Sequence, residues 1–252
     1  MKMQSKTRTV IVSATSCIAQ ECARLWVIEK DAELILVGRD RSRTESVAQD
    51  LRVRAPQASI EVMETNFEDP QAIQTLADTI ASTGKIDRVL IAQGILPQQA
   101  DCQQDLNISY NTLMIDAVSP ALFAEAFVGH LQKNNHGTLA LLGSVAGDRA
   151  RKSMYTYGSA KALLEHFARG LQHRCAHSKV KVVLIKPGPT NTPMTTHLEI
   201  KGIKFASANR VAKDIVSAMN RGKLVVYTPK IWFAIMTIIR IIPSFIFNKM
   251  NL

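Results

Sequence analysis

Cysteines, aromatic residues and breaks in composition are all scarce in this 252-residue sequence. The four cysteines are scattered and form no Cys-x-x-Cys pair, which is typical of reduced thiols and excludes a small disulfide-stapled fold. No Gly/Ser/Pro-rich stretch, low-complexity tract or internal repeat divides the sequence. Because 46% of the residues are hydrophobic, the chain can bury a large core. We predict one domain over residues 1–230 and a C-terminal tail over 231–252.

Metal-ligand spacing and targeting signals are lacking as well. His173, Cys175 and His177 cluster near the end of a predicted helix, but no distant ligands accompany them. We interpret this cluster as a surface turn and predict no metal site. The basic N terminus lacks the long apolar stretch of a signal peptide, which favours a cytoplasmic protein.

Acidic residues are nearly absent from the last fifth of the chain. The whole sequence has a net charge of +10, and from Ile200 onward nine basic residues face a single acid, Asp214. This asymmetry indicates an anionic partner, such as acidic lipid headgroups, a phosphorylated substrate or nucleic acid, with a solvated basic face as the alternative. Since no nucleic-acid-binding motif accompanies the charges, we predict no nucleic-acid partner.

Short β-branched runs alternate with longer amphipathic stretches. The runs are almost entirely apolar, as in parallel strands covered by helices on both faces. We predict strands at 9–13, 33–37, 60–63, 88–92, 138–142 and 180–185, a seventh at 224–227, and helices at 19–29, 43–54, 71–82 and 157–173. This alternation predicts an α/β fold of the Rossmann type, a doubly wound parallel sheet that binds ligands beyond the carboxyl ends of its strands.

The loop after the first predicted strand has no glycine. A loop that opens a helix offers free N–H groups and a positive dipole end to a pyrophosphate, and dinucleotide-binding folds usually place glycines there. Here Ser13, Cys17 and Ala19 occupy those places, and each adds a Cβ. Taken alone, the segment is equally consistent with an ordinary turn between a strand and a helix.

Arg39 directly follows the second predicted strand, and Arg41 is nearby. An arginine at this point pairs with the 2′-phosphate of NADP, whereas a carboxylate would bind the ribose of NAD. Asp40 lies between them and gives the site a mixed character. We predict NADP(H) as the preferred cofactor, with a charged turn that opens the next helix as the alternative.

Tyr157 and Lys161 are four residues apart on a predicted helix and therefore share a face. A phenol is a poor proton carrier at neutral pH, but a nearby ammonium lowers its pKa. Ser144 follows the fifth predicted strand, so its hydroxyl would lie at the carboxyl edge of the sheet. There it could stabilise charge that develops on a substrate oxygen.

These residues resemble the Ser…Tyr-x-x-x-Lys set of the short-chain dehydrogenase/reductase family. Residues 186–192 are similar to the family's Pro-Gly-x-x-x-Thr segment, and residues 13–20 to its glycine-rich loop. The resemblance spans residues 8 to about 230. It implies NAD(P)-dependent transfer of hydride between nicotinamide and a ketone or secondary alcohol, carried out by a homodimer or homotetramer.

The resemblance also implies a role for each matching residue. Tyr157 would be the general acid, Lys161 would lower its pKa and bind the nicotinamide ribose, and Ser144 would orient the substrate. Asp116 stands where the family has an asparagine that connects the lysine to a water chain, and an ionised carboxylate only accepts hydrogen bonds. Besides Tyr157 and Lys161, the implied cofactor-binding residues are Ser13, Thr15, Ser16, Cys17 and Ile18 at the pyrophosphate, Arg39 at the 2′-phosphate, Asn66 and Phe67 at the adenine, Ala92, Gln93 and Gly94 after the fourth strand, and Pro187, Gly188, Thr190 and Thr192 at the nicotinamide.

The substrate is indicated only by a basic loop and the tail. Arg149, Arg151 and Lys152 could meet a substrate phosphate, or they form a solvated loop. The apolar stretch 231–247 is too short to span a bilayer, which leaves an interfacial helix on anionic lipid or a contact with protein. The segments Gly-Ser-Val-Ala-Gly-Asp-Arg (143–149), Lys-Pro-Gly-x-x-x-Thr-Pro-Met-Thr (186–195) and Val-Tyr-Thr-Pro (226–229), together with the apolar basic tail, are similar to a bacterial branch of the family related to decaprenylphosphoryl-2-keto-pentose reductase. That likeness implies a lipid-linked keto-sugar and a location peripheral to the inner face of the membrane.

Three other functions stay open at this point. The enzyme could reduce a 3-oxoacyl thioester or a steroid-like ketone instead of a keto-sugar. The altered glycine loop and Asp116 also permit a nucleotide-binding regulator without turnover, although Ser144, Tyr157 and Lys161 argue against it. A peripheral membrane scaffold that uses the basic tail is the third alternative.

Overall fold

The computed structural model describes residues 7–196 and 204–250. Its main sheet has seven strands, all parallel, in the spatial order β3-β2-β1-β4-β5-β6-β9. These strands are β1 (Thr7–Val12), β2 (Ala32–Gly38), β3 (Ser59–Glu64), β4 (Arg88–Ile91), β5 (Thr138–Leu142), β6 (Lys181–Pro187) and β9 (Val225–Thr228). Two short strands, β7 (Thr190–Asn191) and β8 (Ala206–Ser207), pair with each other beyond the end of β6. The order reverses direction between β1 and β4, which is where doubly wound sheets bind their ligands.

Some of the helices begin at a residue whose side chain accepts a hydrogen bond from a free N–H group. The carboxylates of Asp40 and Asp69 and the hydroxyl of Ser207 cap three of them, and left-handed Gly222 ends one. The helices are α1 (Cys17–Trp26), α2 (Arg41–Arg54), α3 (Pro70–Ser82), α4 (Gln99–Gln104), α5 (Leu106–Leu113), α6 (Ser119–Lys133), α7 (Tyr155–Arg174), α8 (Ala208–Arg221), α9 (Ile231–Ile241) and α10 (Ser244–Phe247). A π-helical turn, Met114–Val118, joins α5 to α6.

Two apolar cores lie on the two faces of the sheet. Helices α3, α6 and α7 cover one face, where Phe123 and Phe127 are fully buried. Helices α1, α2 and α8 cover the other face, around the buried Trp26. Because both faces are covered, the central strands are mostly apolar on both sides, as their sequences predict.

The predicted α/β architecture is confirmed, including the seventh strand. The ends of the helices and strands differ from the prediction by a few residues, because the last hydrogen bonds of an element do not follow from local sequence propensity alone. The most relevant shift is in α7, which begins at Tyr155 and so places Tyr157 inside its first turn. Cys175 is buried and follows the last residue of α7, and no group of three potential metal ligands occurs in the described ranges.

One continuous helical stretch, Leu106–Lys133, is long and apolar enough to cross a membrane by length and composition. Most of it is buried, and its last segment, α6, packs against β4 and β5. We therefore interpret it as a core helix. The predicted apolar tail is two helices, α9 and α10, which separate at Pro243 because proline cannot continue the first one.

Candidate active site

Ser144 and Tyr157 lie together at the carboxyl edge of the sheet. Ser144 follows β5 by one residue, and its hydroxyl accepts a hydrogen bond of 3.1 Å from the N–H of Ala146, which starts a short 3₁₀ turn. Tyr157 approaches from the first turn of α7, close enough for the Ser144 side chain to lower the pKa of its phenol. The structure thus brings together two residues that are thirteen positions apart in the sequence.

Lys161 lies one turn further along α7 and is almost fully buried. Its ammonium Nζ is 3.0 Å from Oδ1 of Asp116, which is wholly buried, and 5.7 Å from the centroid of the Tyr157 ring. It also donates to the carbonyl oxygens of Gln93 and Leu142, each at 3.3 Å. Asp116 therefore contacts the lysine directly, whereas the sequence predicts only that it replaces an asparagine.

The π-helical turn aims Asp116 into this site. Both of its carboxylate oxygens accept from the N–H of Ile95 at 3.3 Å, which ties the turn to the loop after β4. Gly94 lies against the Asp116–Lys161 ion pair: a Cβ added at this position would be 3.0 Å from the Asp116 carboxylate. A glycine here lets the loop approach the ion pair closely.

Burial has the largest effect on the pKa of the Tyr157 phenol. It raises the pKa of Tyr157 above its ordinary value, and the Asp116 carboxylate raises it further, whereas Lys161 and Ser144 lower it. Burial also opposes the charge on Lys161, but Asp116 and Tyr157 outweigh it and raise the pKa of the ammonium. Tyr157 thus keeps its proton at neutral pH, which is the state that a general acid needs.

The loop between β1 and α1 keeps the path of a phosphate-binding loop without glycines. Ser13 adopts a left-handed conformation, with φ of 62°, which favours glycine. Ser16 precedes α1 without a side-chain cap, so the N–H groups of Cys17, Ile18 and Ala19 have no partner within the helix. Together with the helix dipole, these groups can hold the pyrophosphate of a dinucleotide. Thr15 lies in the same loop, and its carbonyl oxygen accepts a hydrogen bond from the side-chain amide of Gln20 at 2.9 Å.

A cleft beside this loop provides polar groups for the adenosine half of a cofactor. Ser13, Arg39, Phe67 and Gln93 line it together with three residues that the sequence does not single out, Glu68, Ile115 and Ser119, and with Gly94. The Gln93 amide donates to the Ser119 hydroxyl at 2.6 Å, whereas its buried oxygen has no partner in the part of the chain that the structure describes. An unpaired acceptor in a cleft is what a bound polar ligand would satisfy, so these residues fit a dinucleotide. Ala92, at the end of β4, is buried behind the cleft.

Asp40 and Asn66 are both used locally. The Asp40 carboxylate accepts from the N–H of Arg43 at 3.0 Å as the cap of α2, which takes it out of the competition for the ribose. The exposed Asn66 accepts from the N–H of Glu68 at 3.0 Å, so its neighbour Phe67 lines the cleft and Asn66 does not.

The loop after β6 is held by the C-terminal tail. The N–H of Gly188 donates to Thr228 of β9 at 3.0 Å, and the buried Thr190 hydroxyl donates to the Gly188 carbonyl at 2.9 Å. Pro187 closes β6, and Thr192 caps the turn Pro193–Thr195. A Cβ on Gly188 would overlap the indole of Trp232, the buried aromatic of α9. The tail therefore packs directly on the loop that is predicted to contact nicotinamide.

Arg149 does not have the surroundings of a phosphate ligand. Its guanidinium donates to the carbonyl oxygens of Ile239, Arg240 and Ile242 at 2.6, 3.2 and 2.6 Å and stacks 3.9 Å from the centroid of the Phe247 ring. The free carbonyl oxygens at the end of α9 and the negative end of its dipole attract a cation. Arg149 thus fastens the tail to the loop after Ser144, and a contact between Arg149 and a substrate phosphate stays a prediction. Arg151 contacts the Met154 sulfur at 3.2 Å, and Lys152 is exposed.

A buried ionic cluster supports the site from behind. Lys186 of β6 pairs with Asp148, in the loop after Ser144, and with Glu165 of α7. The Tyr227 hydroxyl donates to Asp148 at 2.8 Å. The cluster joins β6 and α7 to the Ser144 loop. The only sequence signal for it is a lysine at the end of an apolar strand.

Comparisons with known proteins agree with this geometry. Residues 7–201 match the family model of the short chain dehydrogenase family. An uncharacterized oxidoreductase of Streptomyces coelicolor is 29% identical over 245 residues, covering 96% of this chain and 94% of the relative. A short-chain dehydrogenase from Sphingobium yanoikuyae in complex with NADPH has a similar fold, with a TM-score of 0.80, 18% identity and coverage of 94% and 97%.

A second solved structure, the bulky-bulky ketone specific alcohol dehydrogenase from Comamonas testosteroni, gives a TM-score of 0.78 at 19% identity, with 96% of each chain covered. Because both solved structures are less than 20% identical to this chain, they support only its fold. The family model covers most of the chain, and the Ser144, Tyr157 and Lys161 side chains meet at the sheet edge as their motif requires. This chain belongs to the short-chain dehydrogenase family and is an oxidoreductase of that type.

Proposed function

We propose that this protein is an NADPH-dependent carbonyl reductase that interconverts a ketone and a secondary alcohol. The observation that carries the proposal is the cluster of Ser144, Tyr157 and Lys161 beside a cleft lined by Arg39. When bound, the nicotinamide supplies the hydride that the carbonyl carbon accepts. The chain's own residues supply the proton and stabilise the charge on oxygen.

Tyr157 is the general acid of the proposed reaction. Its phenol donates a proton to the carbonyl oxygen while the Ser144 hydroxyl donates a hydrogen bond to the same oxygen. Lys161 stabilises the phenolate that remains, since its ammonium lies over the tyrosine ring. Asp116 is a positioning residue: its carboxylate holds Lys161 at the site and compensates its buried charge.

Arg39 supports the preference for NADPH over NADH. It follows β2 and lines the cleft, where its guanidinium can pair with a 2′-phosphate. Asp40, the competing acid, is engaged as the cap of α2. The cofactor-binding residues of this proposal are those along the loop from Ser13 to Ile18, the cleft, and the segment from Pro187 to Thr192.

The substrate of this proposal is a lipid-linked ketone, such as a keto-sugar, that a cytoplasmic enzyme meets at the inner face of the membrane. The basic and apolar tail suits such a location. We also propose a homodimer or homotetramer. Leu106, Tyr110 and Leu113 form an exposed apolar stripe on α5, and such a surface is typical of a contact between protein chains. A thioester or steroid-like ketone is the alternative substrate.

The test is reduction of a panel of keto-sugars, 3-oxoacyl thioesters and steroid-like ketones, followed by oxidation of NADPH. We expect turnover with at least one ketone, and we expect Tyr157→Phe to abolish turnover while NADPH binding stays intact, because only the proton donor is lost. Undiminished turnover by Tyr157→Phe would refute the mechanism. A protein that binds NADPH but reduces nothing in the panel would favour a nucleotide-binding regulator.

A further inference from the structure

The outward face of the C-terminal tail exposes more large apolar side chains than any other short segment of the described chain. Six of them are Ile231, Phe233, Ile238, Ile241, Phe245 and Ile246, each between 45% and 75% exposed. On α9, Ile231, Ile238 and Ile241 fall on one stripe, opposite the buried Trp232 and Met236. The helix is thus apolar on both faces, and only one face is covered.

The surroundings of this face are cationic. Lys230 precedes α9, Arg240 lies near its end and Lys249 follows α10, whereas no acid occurs between residues 230 and 250. Arg240 also lines a shallow polar cavity of about 180 Å³ together with Arg169 and His166. The two carboxylates in that cavity, Asp148 and Glu165, are paired with Lys186.

We propose that this face, the lipid face of α9 and α10, docks on an anionic membrane surface. An apolar stripe in a segment that runs from Lys230 to Lys249 without an acid is the pattern of an interfacial helix that inserts among acidic headgroups. A second copy is a poorer occupant, because a two-fold contact through this face would bring Lys230, Arg240 and Lys249 of both copies together without an acid.

The inward face of α9 links this docking surface to the active site. Trp232 packs on Gly188, and Arg149 joins the end of the helix to the loop after Ser144. The membrane contact therefore lies next to the two loops that border the nicotinamide and the substrate. In this arrangement a ketone carried on a lipid can reach Tyr157 without leaving the bilayer surface. This last step rests on the proposed function, whereas the docking itself does not.

The test is sedimentation with vesicles of phosphatidylcholine alone and of phosphatidylcholine mixed with phosphatidylglycerol, at low and high salt. We expect binding to the anionic vesicles only, weakened by salt. The double variant Ile238→Ser/Ile241→Ser should bind at least about tenfold more weakly, because it loses buried apolar area. Lys230→Gln/Lys249→Gln should lose about 30-fold, from about 1 kcal/mol per cation.

Leu106→Ser is the matched control, since Leu106 is 81% exposed on α5 and Ile241 is 75% exposed on α9. It should bind the vesicles as the unaltered protein does. NADPH binding measured without vesicles shows that every variant is folded, and turnover of a water-soluble ketone tests the proposed function separately. No binding to anionic vesicles, or an equal loss in Leu106→Ser, would overturn the proposal. So would a change from dimer to monomer in Ile238→Ser/Ile241→Ser with unchanged vesicle binding, because a second copy would then cover the face.

Discussion

Removing the carboxylate of Asp116 should destabilise the protein strongly. In Asp116→Ala the Lys161 ammonium keeps two carbonyl partners at 3.3 Å but loses the carboxylate at 3.0 Å, at a position where both charged residues are buried. Breaking a buried ion pair on one side costs about 3–5 kcal/mol because a buried charge is left uncompensated. For a chain of this size, that loss corresponds to a fall in Tm of roughly 6 to 20 °C.

The stability difference between the unaltered protein and Asp116→Ala should depend on pH. With its partner present, Lys161 has a raised pKa and stabilises the fold until the pH passes that value. Without the partner, burial lowers the pKa of the ammonium, so the unfolded state binds more protons and the variant gains stability as the pH rises. Thermal unfolding of both proteins should therefore show a difference that narrows from neutral pH to about pH 9.

Asp116→Asn is the control for shape, since its amide oxygen can still accept from Lys161. We expect it to lose less than half as much stability as Asp116→Ala. A loss below about 1 kcal/mol in Asp116→Ala, unchanged with pH, would refute the argument that the buried pair holds the site together.

Three further outcomes follow from the site. Arg39→Ala should weaken NADPH binding by about 10- to 100-fold, the value of a charge-assisted hydrogen bond, and leave NADH binding nearly unchanged in fluorescence titrations; equal losses would remove the basis for the cofactor preference. The rate of ketone reduction should fall only above the raised pKa of Tyr157, because the phenol must be protonated to act as the acid. Asp116→Asn should move this fall in rate to lower pH, since the Asp116 carboxylate contributes to raising the pKa of Tyr157. An unshifted pH–rate profile in Asp116→Asn would contradict this prediction. Gly188→Ala should lower the free energy of unfolding in urea by about 1–3 kcal/mol, because the new Cβ overlaps Trp232. Adding Trp232→Phe should recover part of that loss, whereas simple additivity of the two effects would show that the residues do not touch.

Local patterns predicted the parts of the fold and the site that depend on near neighbours in the sequence. The strands are apolar runs with β-branched residues, so β5 and the core of β1 appear where the sequence places them. Tyr157 and Lys161 share a face because four residues make about one turn of a helix. Ser144 is at the sheet edge because only Gly143 separates it from the end of β5.

Contacts between distant segments were not predictable in the same way. The Asp116–Lys161 pair depends on a π-helical turn that no local propensity indicates. The charge of Arg149 suggests a phosphate ligand, but the free carbonyls that it binds come from a helix 90 residues further along the chain. The close contact between Gly188 and Trp232 likewise exists only once the tail has folded back over β9.

The most direct test of the central claim is a titration of the purified protein with NADPH and with NADH, followed by nicotinamide fluorescence. We predict saturable binding of both nucleotides, with NADPH bound at least about tenfold more tightly because of Arg39. Such a result would show that Ser13, Cys17 and Ala19 form a working phosphate loop without glycine. Failure to bind either nucleotide would contradict the reductase mechanism.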